Sequence, residues 1–302
     1  MIKPPGQATA WVFGDLMTDV VASIHSPVAW DSDTPARIQT FGGGSAANVA
    51  AWLAATGAHV VFVARRGDDP IGRTAEADLR EAGVRCRFVV DPERPTGTCV
   101  VVSDGSARSM FPDRGANAGW RTTDIPADID ATITHVSGYP LLSDEWRPLA
   151  AALGAARAKG SAVSVDPSSA ALIDEIGPAE FFDRTGQLDL LKPNRDEARA
   201  LTGLDDPEAA GRQLLGVASK VVVTLDRDGA LLLDRSGTRM HAPAPQVDVV
   251  DTTGAGDAFT AGLLSAWLHG DGPERLLDEA TRTAAACLGV VGARPSVRIG
   301  TD

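Results

Sequence analysis

Residues 41–66, FGGGSAANVAAWLAATGAHVVFVARR, fit two incompatible folds, and the choice between them decides how the rest of the chain is read. Gly42, Gly44 and Ala47 satisfy G-x-G-x-x-A, a helical run follows, and a β-branched strand then ends in Arg65-Arg66, where a dinucleotide-binding enzyme could hold a 2′-phosphate. Such a fingerprint normally follows the chain's first strand directly. Here the first strong strand is TAWVFGD, well upstream, and the glycines follow the weaker stretch DTPARIQTF. The alternative is a Gly-rich loop of another kind, or glycines that simply let a helix pack on a sheet.

The 302 residues, 44% of them hydrophobic, suffice for one large α/β core or two smaller ones. A net charge of -12 argues against a nucleic-acid or anionic-membrane partner, because an acidic surface repels polyanions unless a basic stripe interrupts it. The clusters Arg65-Arg66 and Arg294 to Arg298 are short and read as solvated edges. Cys86, Cys99 and Cys287 have neither disulfide-framework nor zinc spacing, which points to a reducing cytoplasm. The N-terminal MIKPPGQATAWVF lacks an apolar leader, and no apolar run reaches the ~20 residues of a bilayer-spanning helix, so a soluble protein is expected.

Strand-like and helix-like segments alternate along most of the length. After TAWVFGD, the stretch from Asp19 to Thr40 reads as short strands. Helix 46–55, strand 59–64, helix 72–82 and strand 85–90 follow, and then residues 96–111 break the rhythm with a hairpin around Asp104-Gly105. From residue 132 onward, strands at ITHVSG, SAVSVD, LDLLK, KVVVTL and ALLLD alternate with helices such as 144–159 and 195–203, and helices 255–269 and 274–290 close the chain. This predicts one α/β domain around a mostly parallel sheet, with a small β lid built from residues 19–40 and 96–111.

The downstream stretch DTTGAGDAF is what a dehydrogenase does not explain. Gly254, Ala255 and Gly256 precede an amphipathic helix whose free N–H groups and positive dipole end invite an anion. Asp257, in the first turn, would repel a phosphate. Its presence there suggests a task, that of accepting the proton of a hydroxyl that attacks phosphorus.

With both motifs in hand, the sequence resembles the ribokinase-like, or PfkB, family of carbohydrate kinases. GGSAANVA with Gly57 and Gly67 downstream, and DTTGAGDAFTAGLL without a departure, stand in the family order, and GDLMTD, the GAN at Gly115 to Asn117, KPNRDEARALTG, VTLDRDG and GARPSV agree along nearly the whole chain. The resemblance implies one kinase domain over residues 1–302, ATP and Mg2+ as cofactors, and a small sugar as acceptor. By it, Asp257 is the general base, and Gly254, Ala255 and Gly256 belong with it to the anion hole. Asp19, with Asp15 as its rival, and Gly43, Gly44 and Asn48 would line the sugar, Gly43-Gly44 serving as a hinge of the lid. Asn194 and Glu197 would help place Mg2+ near the phosphates, although the same pair is locally as good a helix cap. Thr224, Asp226 and Gly229, with Gly256, would line the nucleotide. A monovalent cation, K+, would take the side chains of Asp251 and Ser296 and the carbonyls of Thr253, Cys287, Val290 and Gly292.

Arg108, Asp113 and Arg114 fall in or after the hairpin; the two arginines are candidates for specificity, and a charged hairpin edge that deters sheet pairing is the plainer reading. The five histidines show no partner spacing. The expected activity is ATP-dependent phosphorylation of a primary hydroxyl of a ribose-, fructose- or 2-keto-3-deoxygluconate-like sugar by a cytoplasmic homodimer joined through the lid. A nucleoside kinase and a catalytically silent sugar-binding regulator of the same fold are the alternatives.

Overall fold

Runs such as WVF, VVFVA and VVV are apolar at every position, which suits strands covered on both faces. The computed structural model describes residues 8–104 and 108–295, and places these runs in one nine-stranded sheet. In chain order the strands are β1 (Thr9–Phe13), β2 (Met17–Ile24), β3 (Ala36–Gly43), β4 (His59–Gly67), β5 (Arg85–Asp91), β6 (Gly97–Ser103), β7 (Arg108–Asp113), β8 (Ile133–Ser137), β9 (Ala162–Asp166), β10 (Leu188–Leu191), β11 (Ala218–Thr224), β12 (Ala230–Asp234) and β13 (Arg239–Ala242). The helices are α1 (Ser45–Ala55), α2 (Pro70–Glu81), α3 (Tyr139–Leu142), α4 (Arg147–Ala158), α5 (Ala170–Ile176), α6 (Pro178–Thr185), α7 (Arg195–Thr202), α8 (Pro207–Leu214), α9 (Ala255–His269) and α10 (Pro273–Leu288).

The large sheet runs β13-β12-β11-β10-β9-β8-β1-β4-β5, parallel from β11 to β5 and antiparallel where β12 and β13 close one edge. Alternate residues feed two cores. Ala10, Val12, Val60 and Phe62 pack with α1, α9 and α10, whereas Trp11, Phe13, Val61 and Val63 face the opposite layer with α4. The smaller sheet runs β3-β2-β6-β7, with β2 and β6 parallel and the outer pairs antiparallel.

Most elements lie where periodicity places them, and α9 matches to the residue. Helix α2 starts earlier than predicted because Asp69 accepts a bond from Gly72 N–H and Pro70 occupies the first turn, a cap that hydrophobic spacing alone does not reveal. The short α5, α6 and α8 and the edge strand β13 were not expected, since four to eight residues give too few turns for a periodic signal. The proposed turn at Asp104-Gly105 lies partly outside the described residues.

Arg65-Arg66 is not a solvated edge. Arg65 is buried, and its guanidinium meets Asp91 at 2.7 Å and Asp124 at 2.5 Å, while Arg66 pairs with Glu76 at 2.7 Å. Burial would raise the Asp91 carboxyl, but hydrogen bonds from Arg65 and from the Glu93 and Arg94 amides hold it well below the usual range. Arg65→Met should therefore lower the unfolding free energy by about 3–5 kcal/mol, the cost of leaving buried charges uncompensated. A depressed carboxyl contributes stability above its unfolded pKa and loses it on acidification, so urea titrations should show the deficit narrowing as the pH falls below about 4.

Candidate active site

The parallel strands β1, β8, β9, β10 and β11 are neighbours, and their carboxyl ends deliver Asp15, Ser137, Asp166, Lys192 and Thr224 to one rim, where open α/β sheets bind ligands. Helices α1 and α9 begin at that rim, each after a glycine that an L side chain would strain, Gly44 at φ 92° and Gly254 at φ 79°. A Cβ on Gly44 would also overlap the Asp15 carbonyl, and one on Gly254 would lie 2.7 Å from the Ala293 carbonyl.

The two helix starts meet at Asp257. Ser45 Oγ donates to Asp257 Oδ1 at 2.7 Å, and Asn48 Nδ2 donates to Oδ2 at 2.9 Å. Burial pushes the Asp257 carboxyl up to about 6, against the lowering effect of those two donors. The first bond of α9 is Ala258 N–H to the Gly254 carbonyl, so the Gly256 and Asp257 N–H groups ahead of it have no helical partner. Lys192 Nζ lies 3.7 Å from where a Cβ on Gly256 would stand, so an ammonium flanks this turn. Burial lowers the Lys192 pKa, but the Asp166 carboxylate 2.5 Å away and the charges of Glu197 and Asp257 together outweigh it, and the net shift is upward.

Asp19 is buried on β2, and Gly43 has no Cβ because one would overlap its carboxylate. Burial raises the Asp19 carboxyl and the nearby Arg294 opposes the shift. Asp15, the rival, pairs with Arg114 at 3.0 Å, which commits both side chains to each other. Arg108 instead reaches from β7 to donate to Thr253 Oγ1 at 2.6 Å.

After β10, Asn194 bridges to Thr224 at the end of β11, which brings the two motifs together. Asn194 and Glu197 form a reciprocal cap, each side chain accepting the other's backbone N–H at 2.8 Å. Glu197 keeps its carboxyl raised to about 7 through burial and then the nearby Asp166 charge. In the following loop, Asp226 takes φ 53° and Gly229 φ 92°, closed by a 2.7 Å bond from Leu225 N–H to the Gly229 carbonyl.

The six suggested cation ligands divide. Asp251 accepts Thr253 N–H at 2.9 Å, Thr253 Oγ1 at 2.7 Å and Gly292 N–H at 3.0 Å. Cys287 Sγ donates to the Thr253 carbonyl at 3.4 Å, its thiol pushed up to about 12 by burial and then by Asp257 and Asp251. Val290 N–H bonds back to the Cys287 carbonyl. Ser296 lies outside the described residues, as does Arg298. Arg294, read with them as a solvated edge, is instead half-buried against Gly43 and Asn48.

Ser45, Asp166, Lys192 and Arg294 were given no role from the sequence. Asp166 and Lys192 carried a signal, each being a charged residue ending an apolar strand. Ser45 and Arg294 carried none, because their partners are remote in the chain.

A carboxylate at the N-terminus of a helix, beside unpaired N–H groups and a lysine, on the rim of a doubly covered sheet under a small second sheet, defines a kinase of the ribokinase-like class. A family model described as pfkB family carbohydrate kinase matches residues 7–299, and the chain belongs to that family, whose members are phosphotransferases acting on hydroxyl groups. It is 31% identical over 285 residues to an ATP-dependent ribose-1-phosphate kinase of Halopiger xanaduensis, covering 93% of this chain and 92% of that one. It is 32% identical to the bifunctional protein HldE of Rhodopseudomonas palustris over 87% of its own length, but spans only 56% of that longer relative. A crystal structure of a fructokinase double mutant from Vibrio cholerae, bound to fructose, ADP and potassium, superimposes with a TM-score of 0.82 at 26% identity over 95% of this chain and 94% of that one. No helix among the described residues is long and apolar enough to cross a membrane.

Because burial holds the Asp257 carboxyl above its unfolded value, stability is lost as the pH rises from the ordinary 3.8 to about 6, and the full cost of the ionised form is carried above that. Asp257→Asn should therefore unfold at a higher temperature than wild type at pH 8, by about 2–4 °C if the relief is ~1 kcal/mol. Calorimetry at pH 3, below the ordinary carboxyl value of 3.8, where the wild-type carboxyl is largely protonated in both states, should show the advantage gone.

Proposed function

We propose that this protein is an ATP-dependent kinase that transfers the γ-phosphoryl group to a primary hydroxyl of a small free sugar in the cytoplasm. The observation that carries the reading is the Asp257 carboxylate, held by Ser45 and Asn48 at the helix start where the Gly256 and Asp257 N–H groups lack helical partners and Lys192 flanks the turn. A base and an anion hole on adjacent atoms suit phosphoryl transfer, which depends on positioning and charge stabilisation.

When bound, ATP would supply the phosphoryl group and Mg2+ would offset its charge. The residues present fit both: Thr224, Asp226 and Gly229 form an open loop beside Asn194, and Glu197 lies buried near Lys192. In this reading Asp257 takes the acceptor proton, Gly254 to Gly256 and Lys192 receive the transferring group, and Asp19 with Asn48 orients the sugar hydroxyls. Asp251 and the carbonyls of Thr253, Cys287, Val290 and Gly292 form a set of hard oxygen donors that suits K+, with Ser296 as a further candidate. The fructokinase above, bound to potassium, supports this assignment.

Residues 1–302 act as one kinase unit in which the small sheet is the lid. Its inner face presents Asp19, Val21, Phe41, Cys99, Val101 and Met110, with Phe41 unaccompanied by a second aromatic to clamp a base among the described residues, which favours a sugar over a nucleoside. Its outer face carries Val20, Val100 and Phe111 together with Ile38, of which Phe111 and Ile38 are about 60% exposed. An apolar sheet face of this kind suits a second copy, giving a homodimer. Sedimentation should find a dimer that Phe111→Asp dissociates; a monomeric wild type would refute it.

A panel of free sugars, sugar phosphates and nucleosides, assayed with ATP for ADP release in potassium and in sodium salts, tests the rest. Expected are turnover of a free sugar, faster in K+, an acidic limb of kcat/KM near pH 6 as Asp257 protonates, and a fall in kcat of roughly 10²–10⁴ in Asp257→Asn. Turnover of nucleosides alone would identify a nucleoside kinase, and sugar binding without ADP release a silent regulator. Asp257→Asn within a few-fold of wild type would remove Asp257 from the base role.

A further inference from the structure

The C-terminal segment brings one charged side chain to the base without touching it. Arg294 Nε donates to Asn48 Oδ1 at 3.3 Å, and Arg294 Nη2 donates to the Gly43 carbonyl at 2.7 Å. Asn48 in turn donates through Nδ2 to Asp257. An amide side chain has one acceptor oxygen and one donor nitrogen, and a guanidinium only donates. With Arg294 on one side and a carboxylate on the other, a single amide orientation satisfies both neighbours. The flipped amide would set an N–H₂ against the guanidinium and a carbonyl oxygen against Asp257.

Several features hold Arg294 in place. Gly42 passes beside its Nη1, where a Cβ would overlap the guanidinium. The preceding residue is fixed by a 2.9 Å bond from Trp52 Nε1 to the Ala293 carbonyl, and Gly292 N–H is fixed on Asp251. No carboxylate forms an ion pair with Arg294 among the described residues, although Asp19 attracts it from further away. Burial lowers its pKa to about 10, so it remains a cation at neutral pH.

We infer that Arg294 is a positioning residue that acts through Asn48, locking the amide so that an N–H rather than a carbonyl oxygen meets the Asp257 carboxylate. The inference rests on the kinase reading only in naming Asp257 as the base. The other charged or titratable groups that face Asp257 are Asp166 at the end of β9, Lys192 after β10, Tyr139 on α3 and Cys287 on α10. None of these contacts the Asn48 amide, so the lock is specific to Arg294 among them.

The test is a titration of the substrate-free protein labelled with 13C at the aspartate carboxyls, the Asp257 signal being identified by its loss in Asp257→Asn. Wild type should titrate near pH 6, and Arg294→Met should move the midpoint up by about one unit as a donor is lost. Gly42→Ala, which displaces the guanidinium while leaving the arginine in place, should shift it in the same direction, and Arg294→Lys should recover part of the difference. Arg294→Met made in an Asn48→Ala background decides the route, because with no amide to lock, only the weak direct attraction between Arg294 and Asp257 is left and the midpoint should move by a small fraction of the shift seen with Asn48 in place. An unchanged midpoint in folded Arg294→Met or Gly42→Ala protein overturns the inference. So does an equal shift in the Asn48→Ala background, which would mean that the charge acts through space. Since no acceptor is present, failure of the sugar-kinase assays leaves this result standing, and the two outcomes are read separately.

Discussion

The contact on which the rest of the site depends is the meeting of two helix starts, where Ser45 and Asn48 of α1 place their donors on the Asp257 carboxylate of α9. It requires the helices to pack closely, and their residues are small where they face the core: Ala46, Ala47, Ala50 and Ala51 on α1, Ala258, Ala261 and Gly262 on α9. A Cβ on Gly262 would overlap the Glu279 backbone of α10, so the same economy of volume sets the next layer. Bulk removed from these helices is what brings polar groups remote in sequence into hydrogen-bond range.

The sheet contributes the second half. Its strands are mostly apolar on both faces; polar groups within it pair with one another, as His135 Nδ1 does with Ser164 Oγ at 3.1 Å, and Asp166 and Lys192 stand together at the carboxyl ends. Asp166 and Lys192 stabilise each other there at 2.5 Å, and Thr260 of α9 lies 3.4 Å from the same aspartate. The pair keeps an ammonium beside the α9 N-terminus, where an isolated lysine would lose its proton to burial. Asp257 is the opposite case. It has donors but no cation in contact, and its carboxyl is displaced toward neutrality. A buried carboxylate is thus kept at the expense of folding stability, a common compromise where a site requires a buried charge.

The architecture was largely legible in the residues. Period-2 and 3.6 patterning located the long elements, the two glycine motifs stood in the family order, and α9 with Asp257 in its first turn follows directly from DTTGAGDAF. Asn194 and Glu197 form the cap that their spacing predicts, and Asn194 also bridges to Thr224, which joins the two motifs. The charged clusters were misread for one reason. Arg65 and Arg294 look solvated as short basic runs, yet each is held by groups from distant segments, Arg65 by Asp91 and Asp124 and Arg294 by Gly43 and Asn48.

Sequence by itself determined which segments become strands and helices, which glycines precede α1 and α9, and which aspartate occupies the first turn of α9, because these follow from local backbone preference and the spacing of apolar side chains. Tertiary structure alone decided that Asp15 is committed to Arg114 while Asp19 lies beside Gly43 with Arg294 nearby, that Ser45 and Asn48 hold the Asp257 carboxylate, and that Arg294 reaches the Asn48 amide. Each of those outcomes joins residues far apart in the chain through short-range forces, and such forces act only after the sheet and its covering helices have fixed the distances.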